Sequence, residues 1–248
     1  TRWQDPLWRA KLARLYLAEP LCCFAPIRPS PRKVLLLSSL IGIFLIACRL
    51  LAYQSRTVYL ILFWKDRGIL DLMVPVSMVV SAVLMAQAVR RLWRNPGCQK
   101  KWRVLLSLVY AGLIAAFIFY AGEETSWGQD FFRWETPQAF AGNLESQTNL
   151  HNYFNPYFVY GYVALSLVLV VVLASVWMEV NQRWLTIKRC VFPHPSMIGL
   201  GVLIALVALV WYAEQELLEE MTAVFVLFYS LRVSACFRSP YLAIEPAA

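Results

Sequence analysis

The residues best suited to chemistry lie in one short stretch of this sequence, residues 122–152. The stretch begins Gly-Glu-Glu-Thr-Ser-Trp-Gly-Gln, contains Glu-Thr-Pro at 135–137 and ends Asn-Leu-His-Asn. Glu123, Glu124 and His151 form a candidate catalytic set, because carboxylates and imidazoles are the usual general bases and acids. Such a set would support hydrolysis or group transfer on a lipid-like substrate.

The same residues, together with Glu135, are candidate ligands for a metal ion. Carboxylate oxygens suit hard divalent cations such as Ca²⁺, Mg²⁺ and Mn²⁺, so a divalent cation is compatible with this stretch. Zinc is not expected, because catalytic zinc sites generally use at least two His ligands or a Cys–His set. Haem is not expected either, because none of the predicted membrane spans contains a histidine, although Met and Cys ligands stay open.

Each candidate also has a plainer interpretation. Glu123 and Glu124 follow a long apolar run, where they would mark the water boundary of an ordinary span or belong to a polar network. His151 lies between Asn149 and Asn152 and would cap a helix or hold a loop in place. The sequence therefore leaves open whether the chain is an enzyme.

The elements that must position these residues are membrane helices. Of the 248 residues, 60% are hydrophobic and 15% are charged, whereas average soluble domains have about 45–50% and about 25%. We therefore predict an all-α polytopic protein in contact with the lipid bilayer. Six apolar segments approach the roughly 20 residues that a spanning helix needs. They are 34–53, 69–89, 104–121, 157–178, 197–212 and 221–237, of which the last two form either two spans or one broken hairpin.

The charges predict the orientation of these spans. Most of the 23 Lys and Arg residues precede the first span, follow the sixth, or lie between spans two and three or four and five. Because cytoplasmic loops concentrate Lys and Arg, both termini are predicted to be cytoplasmic. Most of the 15 acids fall on the opposite side, which predicts an acidic outer face. The excess of basic residues is thus explained by the membrane topology and does not indicate a nucleic-acid-binding surface. We therefore expect no nucleic-acid partner.

This topology divides the chain into three predicted parts. Residues 1–33 form a basic cytoplasmic segment, in which 3–18 resembles an amphipathic surface helix. Residues 34–237 form the six-helix membrane domain, which includes an outer cap of residues 122–156, and 238–248 form a cytoplasmic tail. The six cysteines show no metal-type spacing and lie mostly on the reducing side, so no disulfide framework is predicted.

The outer cap is predicted to contain a helix along the membrane surface. Trp127, Phe131 and Trp134 recur at helical spacing, and Trp is favoured at membrane interfaces. Thr136-Pro137 should end this helix, because the residue before a proline resists the helical conformation. The residues interpreted as structural or interface positions are Trp127, Gln129, Trp134, Thr136, Pro137, Asn149 and Asn152.

The cap pattern resembles a family of bacterial multi-span membrane proteins without an assigned function. The similarity runs from about residue 60 to the end of the sixth span, and segment 66–71, Asp-Arg-Gly-Ile-Leu-Asp, is a second point of likeness. The chain departs from the family pattern at Asp130, Glu145 and Gln147. The resemblance implies a protein of the bacterial inner membrane and supplies no reaction.

Two classes of function follow from these observations. The catalytic inventory is sparse, with one outer histidine, no metal-ligand spacing and no nucleotide motif. We therefore expect an accessory or structural subunit of a larger membrane complex, with membrane-protein partners. The alternative is a membrane-embedded hydrolase or transferase that uses Glu123, Glu124 and His151.

Overall fold

The computed structural model describes most of residues 31–237. The described residues are 31–63, 68–95, 98–143, 146–150, 152–154, 157, 161, 163–164, 190–193, 195–211 and 214–237. Within them the protein is all-α, as predicted, with seven α-helices. In chain order these are α1 (Pro31–Gln54), α2 (Arg56–Leu62), α3 (Ile69–Arg94), α4 (Lys100–Glu124), α5 (Gln129–Phe132), α6 (Ile198–Val210) and α7 (Gln215–Cys236).

Three of the helices are long and apolar enough to cross a membrane, namely Lys33–Gln54 of α1, all of α3 and all of α4. They coincide with the first three spans predicted from the sequence. A 25-residue helix is roughly 37 Å long, which exceeds the hydrocarbon core of about 30 Å. Large apolar side chains such as Phe44 and Leu108 are exposed on their surfaces, as lipid contact requires. These features suggest a multi-pass membrane protein.

The C-terminal part of the chain forms two separate helices. The predicted segment 197–212 corresponds to α6, which has 13 residues and is therefore only about 20 Å long. Segment 221–237 falls within α7, which begins at Gln215 with Glu216 in its first turn. The predicted fourth span, 157–178, lies almost wholly outside the described residues, and the predicted N-terminal helix 3–18 and the predicted tail 238–248 lie wholly outside them.

The core lies where α3 packs against both α4 and α7. Met85 of α3, Tyr110 of α4 and Met221 of α7 are all fully buried. Near the predicted inner ends, the guanidinium of Arg91 donates hydrogen bonds to the backbone oxygen and hydroxyl of Ser234, at 2.6 and 2.7 Å. This arrangement places the end of α4 and the start of α7, the two regions richest in acids, on one end of the helix bundle.

Candidate functional site

The outer cap begins with an abrupt turn at the end of α4. Thr125 closes the helix, because its backbone N–H and its hydroxyl both donate to the carbonyl of Ala121, at 3.2 and 2.9 Å. Ser126, Trp127 and Gly128 then take positive φ values of 47°, 56° and 89°. A left-handed conformation costs a non-glycine residue roughly 1–2 kcal/mol. The turn therefore needs tertiary contacts to hold it.

These backbone angles contradict the predicted surface helix. The helix in this region, α5, has only four residues and excludes both Trp127 and Trp134. Arg133 ends it in the left-handed conformation, so it stops before Thr136-Pro137. The spacing of the aromatic residues was a misleading signal, because the contacts of Trp127 with the end of α4 override helical periodicity.

Glu123 provides those contacts. It is 4% exposed, and each of its carboxylate oxygens accepts a hydrogen bond. The indole Nε1–H of Trp127 donates to Oε1 at 2.7 Å, and the backbone N–H of Leu150 donates to Oε2 at 2.6 Å. Leu150 lies 27 residues further along the chain than Glu123. The carboxylate of Glu123 therefore connects both the beginning of the cap, at Trp127, and its later part, at Leu150, to the end of α4.

Gly122 makes room for the indole ring that Glu123 holds. A Cβ atom at position 122 would come within 2.8 Å of the Trp127 ring, closer than real Cβ contacts allow. The same ring packs edge-on against Phe119 with centroids 5.7 Å apart. The packing of one tryptophan against the end of a helix thus accounts for Gly122, Glu123 and Trp127 of the Gly-Glu-Glu-x-Ser-Trp-Gly pattern.

Gln129 links the middle of the cap to its end. Its amide nitrogen donates to the hydroxyl of Thr136 at 2.7 Å, and its carbonyl oxygen accepts from the backbone N–H of Thr148 at 2.7 Å. The Thr136 hydroxyl donates in turn to the carbonyl of Ser146 at 2.5 Å. Pro137 then leads into a short 3₁₀ turn, Gln138–Phe140. Both ends of the Gln129 side chain are therefore used to close the loop.

Asn143 and Gln147 complete the arrangement. The Asn143 amide donates to the carbonyls of Gln147 and Asn149 at 2.6 and 3.1 Å, and its oxygen accepts from the backbone N–H of Gln147 at 3.1 Å. The Gln147 side-chain oxygen accepts from Ser126, Asn149 and Asn152, at 3.1, 3.1 and 3.5 Å. We call these polar side chains the cap network: Glu123, Ser126, Gln129, Thr136, Asn143, Gln147, Asn149 and Asn152.

The remaining candidate residues are placed differently. Glu124 is half-buried at the end of α4, and Glu135 is exposed on the loop. Trp134 stacks on Phe132 with ring centroids 5.7 Å apart. His151 lies outside the described residues, so the proposed catalytic set stays a prediction. Among the residues that the structure describes, no group of three His, Cys, Asp or Glu side chains is placed to hold a metal ion.

A second polar region lies between α1 and the start of α7. Arg49 of α1 is only 12% exposed. Its Nε lies 2.5 Å from a carboxylate oxygen of Glu214, and its Nη1 lies 2.7 Å from one of Glu216. The hydroxyl of Tyr53 donates to the other oxygen of Glu214. The guanidinium also lies over the ring of Phe63, 4.8 Å from its centroid, so Arg49 is held by charges and by aromatic faces.

Glu220 follows Glu216 by four residues on α7 and is only 1% exposed. Among the described residues, neither of its carboxylate oxygens has a hydrogen-bond partner. The charged groups that act on it are Asp71 of α3, Arg49 of α1, and Glu216 and Glu219 of its own helix. We call Arg49, Asp71, Glu214, Glu216 and Glu220 the buried charge cluster.

From the sequence, Asp71, Glu214 and Glu216 were possible members of an outer acidic cluster, but Arg49 was not paired with the acids of α7. Two features of the sequence point to the buried charge cluster. One is an arginine inside an apolar run, and the other is a pair of acids four residues apart on one helix, Glu216 and Glu220. Ionisable groups at membrane depth usually have a functional reason. The sequence could not pair Arg49 with Glu214, however, because the two residues are 165 positions apart.

Comparison with known proteins adds no relative. No family model matches the chain, and neither a curated protein nor a solved structure does. The functional interpretation therefore depends on the geometry of the cap network and the buried charge cluster.

Proposed function

We propose that the chain is a multi-pass protein of the bacterial inner membrane that serves as an accessory or structural subunit of a larger membrane complex. In this proposal it has six spans, with both termini cytoplasmic and the cap outside. The three long apolar helices and the unequal distribution of basic residues support the membrane topology. The resemblance of the cap pattern to bacterial multi-span proteins supports the location.

One observation carries the subunit role: the polar side chains of the cap bind one another and the cap backbone. Both oxygens of Glu123 accept hydrogen bonds within the cap, and both ends of Gln129 and Asn143 are engaged there as well. A general base must reach a proton of the substrate. Side chains already used to fold a loop favour a structural role over the hydrolase or transferase alternative.

The cap also presents an aromatic surface, formed by Phe131, Phe132 and Trp134. Phe132 is 76% exposed, and the other two rings are exposed as well. The stack of Phe132 on Trp134 holds these two rings in place. Aromatic residues are enriched at protein–protein interfaces, where rigid rings lose little conformational entropy. We assign this surface as the docking face for the partner subunit.

Native gel electrophoresis after mild-detergent extraction tests the proposal. We expect the chain to migrate in a large complex with stoichiometric partners that mass spectrometry identifies. Phe132→Ala should release the chain from that complex without unfolding it. Leu108→Ala is the matched control, because Leu108 is similarly exposed, at 66%, but lies on α4. Migration of the wild-type chain alone, or as a small homo-oligomer, would contradict a subunit role.

The enzyme alternative predicts a different pattern for two variants. If Glu124→Gln and His151→Ala abolish a cellular phenotype while the complex stays intact, catalysis at this site gains support. If both variants instead leave the phenotype unchanged, the subunit role is strengthened. Thermal unfolding of the purified variants separates either result from simple loss of folding.

Labelling with a membrane-impermeant maleimide tests the topology. Glu135→Cys should be labelled in intact spheroplasts, because the cap is proposed to lie outside. Lys100→Cys, at the start of α4, is equally suited to labelling because it is exposed, but it should react only after permeabilisation. The parent chain provides the background from native cysteines. Labelling of Lys100→Cys in intact spheroplasts would invert the proposed orientation.

A further inference from the structure

Glu220 stands apart from the other acids because its burial is uncompensated. Its side chain is 1% exposed, and both oxygens lack hydrogen-bond partners among the described residues. A carboxylate without donors is among the least favourable groups to bury, whereas a neutral carboxylic acid is far less costly. The usual outcome in proteins is that such a group takes up a proton.

The charges around Glu220 also favour the protonated form of its carboxyl group. The buried charge cluster contains four acids and one arginine, and Arg49 already contacts Glu214 and Glu216 at 2.5 and 2.7 Å. The groups that face Glu220 are Cys48 and Arg49 from α1, Asp71 from α3, and Glu216 and Glu219 from α7. Three of these five are acids, so ionising Glu220 would add a negative charge to a region that already has an excess.

We propose that Glu220 is a proton-binding site of the membrane domain: its carboxyl group carries a proton that exchanges with the aqueous side through Glu216. The Glu216 side chain is 49% exposed and contacts Arg49, so it connects the cluster to solvent. The exchange is a simple acid–base step, in which water delivers a proton to the carboxylate and receives it back on release.

A proton fits this site better than a metal ion does. Within the described part of the chain, no three His, Cys, Asp or Glu side chains converge well enough to coordinate a metal. Arg49 also already supplies the positive charge that Glu214 and Glu216 contact. Release of the proton has a structural consequence, because the new charge on Glu220 would compete with Glu214 and Glu216 for Arg49. The site thus couples protonation to the contact between α1 and α7.

Infrared spectroscopy of the full-length protein in lipid nanodiscs tests the assignment directly. At neutral pH the wild-type protein should show the carbonyl band of a protonated carboxyl group, and Glu220→Gln should lose that band. Glu135→Gln is the matched control, since Glu135 is an exposed acid and its loss should leave the band unchanged. A neutral-pH spectrum without the band, or a band that persists in Glu220→Gln, would overturn the proposal.

The pH dependence of stability gives a second, independent readout. A carboxyl group that keeps its proton in the folded protein and loses it in the unfolded chain makes folding weaker as the pH rises. The thermal midpoint of the wild type should therefore fall between about pH 5 and about pH 8 and level off above that, and that of Glu220→Gln should fall less. Equal slopes would contradict the proposal. If Glu220→Gln fails to fold, the wild-type protein alone still tests the proposal. Its infrared carbonyl band should be present at neutral pH and disappear at high pH.

Discussion

Glu123 and Glu220 are both buried glutamates, yet their surroundings are opposite. Glu123 receives one hydrogen bond on each oxygen, from the Trp127 indole and the Leu150 amide. Glu220 receives none among the described residues. Donors aimed at a carboxylate stabilise its charged form, and their absence favours the neutral form. Glu123 is therefore an acid that attaches a loop to a helix, whereas Glu220 is an acid that is available to bind a proton.

The two regions also differ in how they use the chain. The cap network joins residues that lie within about thirty positions of one another, so it is a local structure attached to the end of α4. The buried charge cluster joins α1, α3 and α7, and its central ion pair bridges 165 positions. Damage to the cap should consequently stay local, whereas damage to the cluster should loosen the helix bundle.

The largest effect is expected from Arg49→Met, which leaves the buried carboxylate of Glu214 without its cation. Breaking a buried ion pair by removing one partner costs about 3–5 kcal/mol. The free energy of unfolding in detergent measures this loss. Arg49→Lys keeps the charge but not the two-pronged guanidinium, so it should lose less. A fully stable Arg49→Met protein would mean that the cluster contributes nothing to helix packing.

Glu123→Gln should cost about 2 kcal/mol, because a glutamine offers one acceptor oxygen to two N–H donors and turns its own N–H₂ toward one of them. The measurement is again the free energy of unfolding. Glu135→Gln, on the exposed part of the cap, should change it by less than about 0.5 kcal/mol. Glu220→Gln should be tolerated better than Glu123→Gln at neutral pH. The reverse order would break the distinction between the two glutamates.

Trp127→Phe should cost about 1–2 kcal/mol, since it leaves one oxygen of Glu123 without its donor. The smaller phenyl ring lacks the benzo atoms of the indole that lie over Gly122, so some packing is lost as well. Limited proteolysis should cut the cap of this variant faster than that of the wild type. Trp134→Phe is the control, because a phenyl ring preserves its stack on Phe132. Equal protection of both variants would show that the Glu123 hydrogen bond does not order the cap.

Gly128→Ala should have the smallest effect, about 1 kcal/mol, because alanine is strained at a φ of 89°. Its thermal midpoint should fall slightly. Gly112→Ala provides the opposite case, since a Cβ atom at this helical position meets nothing within 4 Å, and alanine favours helix. A stabilised Gly128→Ala would indicate that the left-handed turn is not required.

The sequence predicted the long helices well and the cap poorly. Long apolar helices over 34–53, 69–89 and 104–121 were predicted correctly, because length and apolarity depend only on neighbouring residues, and all three could cross a membrane. The surface helix through Trp127 and Trp134 was wrong, because the periodicity of three aromatic residues says nothing about positive φ values at 126–128. Those angles are maintained by hydrogen bonds from Trp127 to Glu123 and from Ser126 to Gln147, and the position of Gln147 follows from loop closure rather than from local pattern.

The candidate site was likewise predicted only in part. The sequence correctly located a dense group of polar residues at the end of α4, but it could not say that Glu123 would be fully hydrogen-bonded. It showed Arg49 and the acids of α7 as separate features. Only helix packing brings Arg49 to Glu214 and leaves Glu220 buried beside them.

By itself, therefore, the sequence determined that this protein is helical and apolar, and which stretch holds its polar residues. The tertiary structure alone decided which acids are paired. The physical reason is that a hydrogen bond or ion pair requires atoms within about 3 Å, and the donors for Glu123 and the cation for Glu214 come from distant parts of the chain. Composition and spacing carry no record of that proximity.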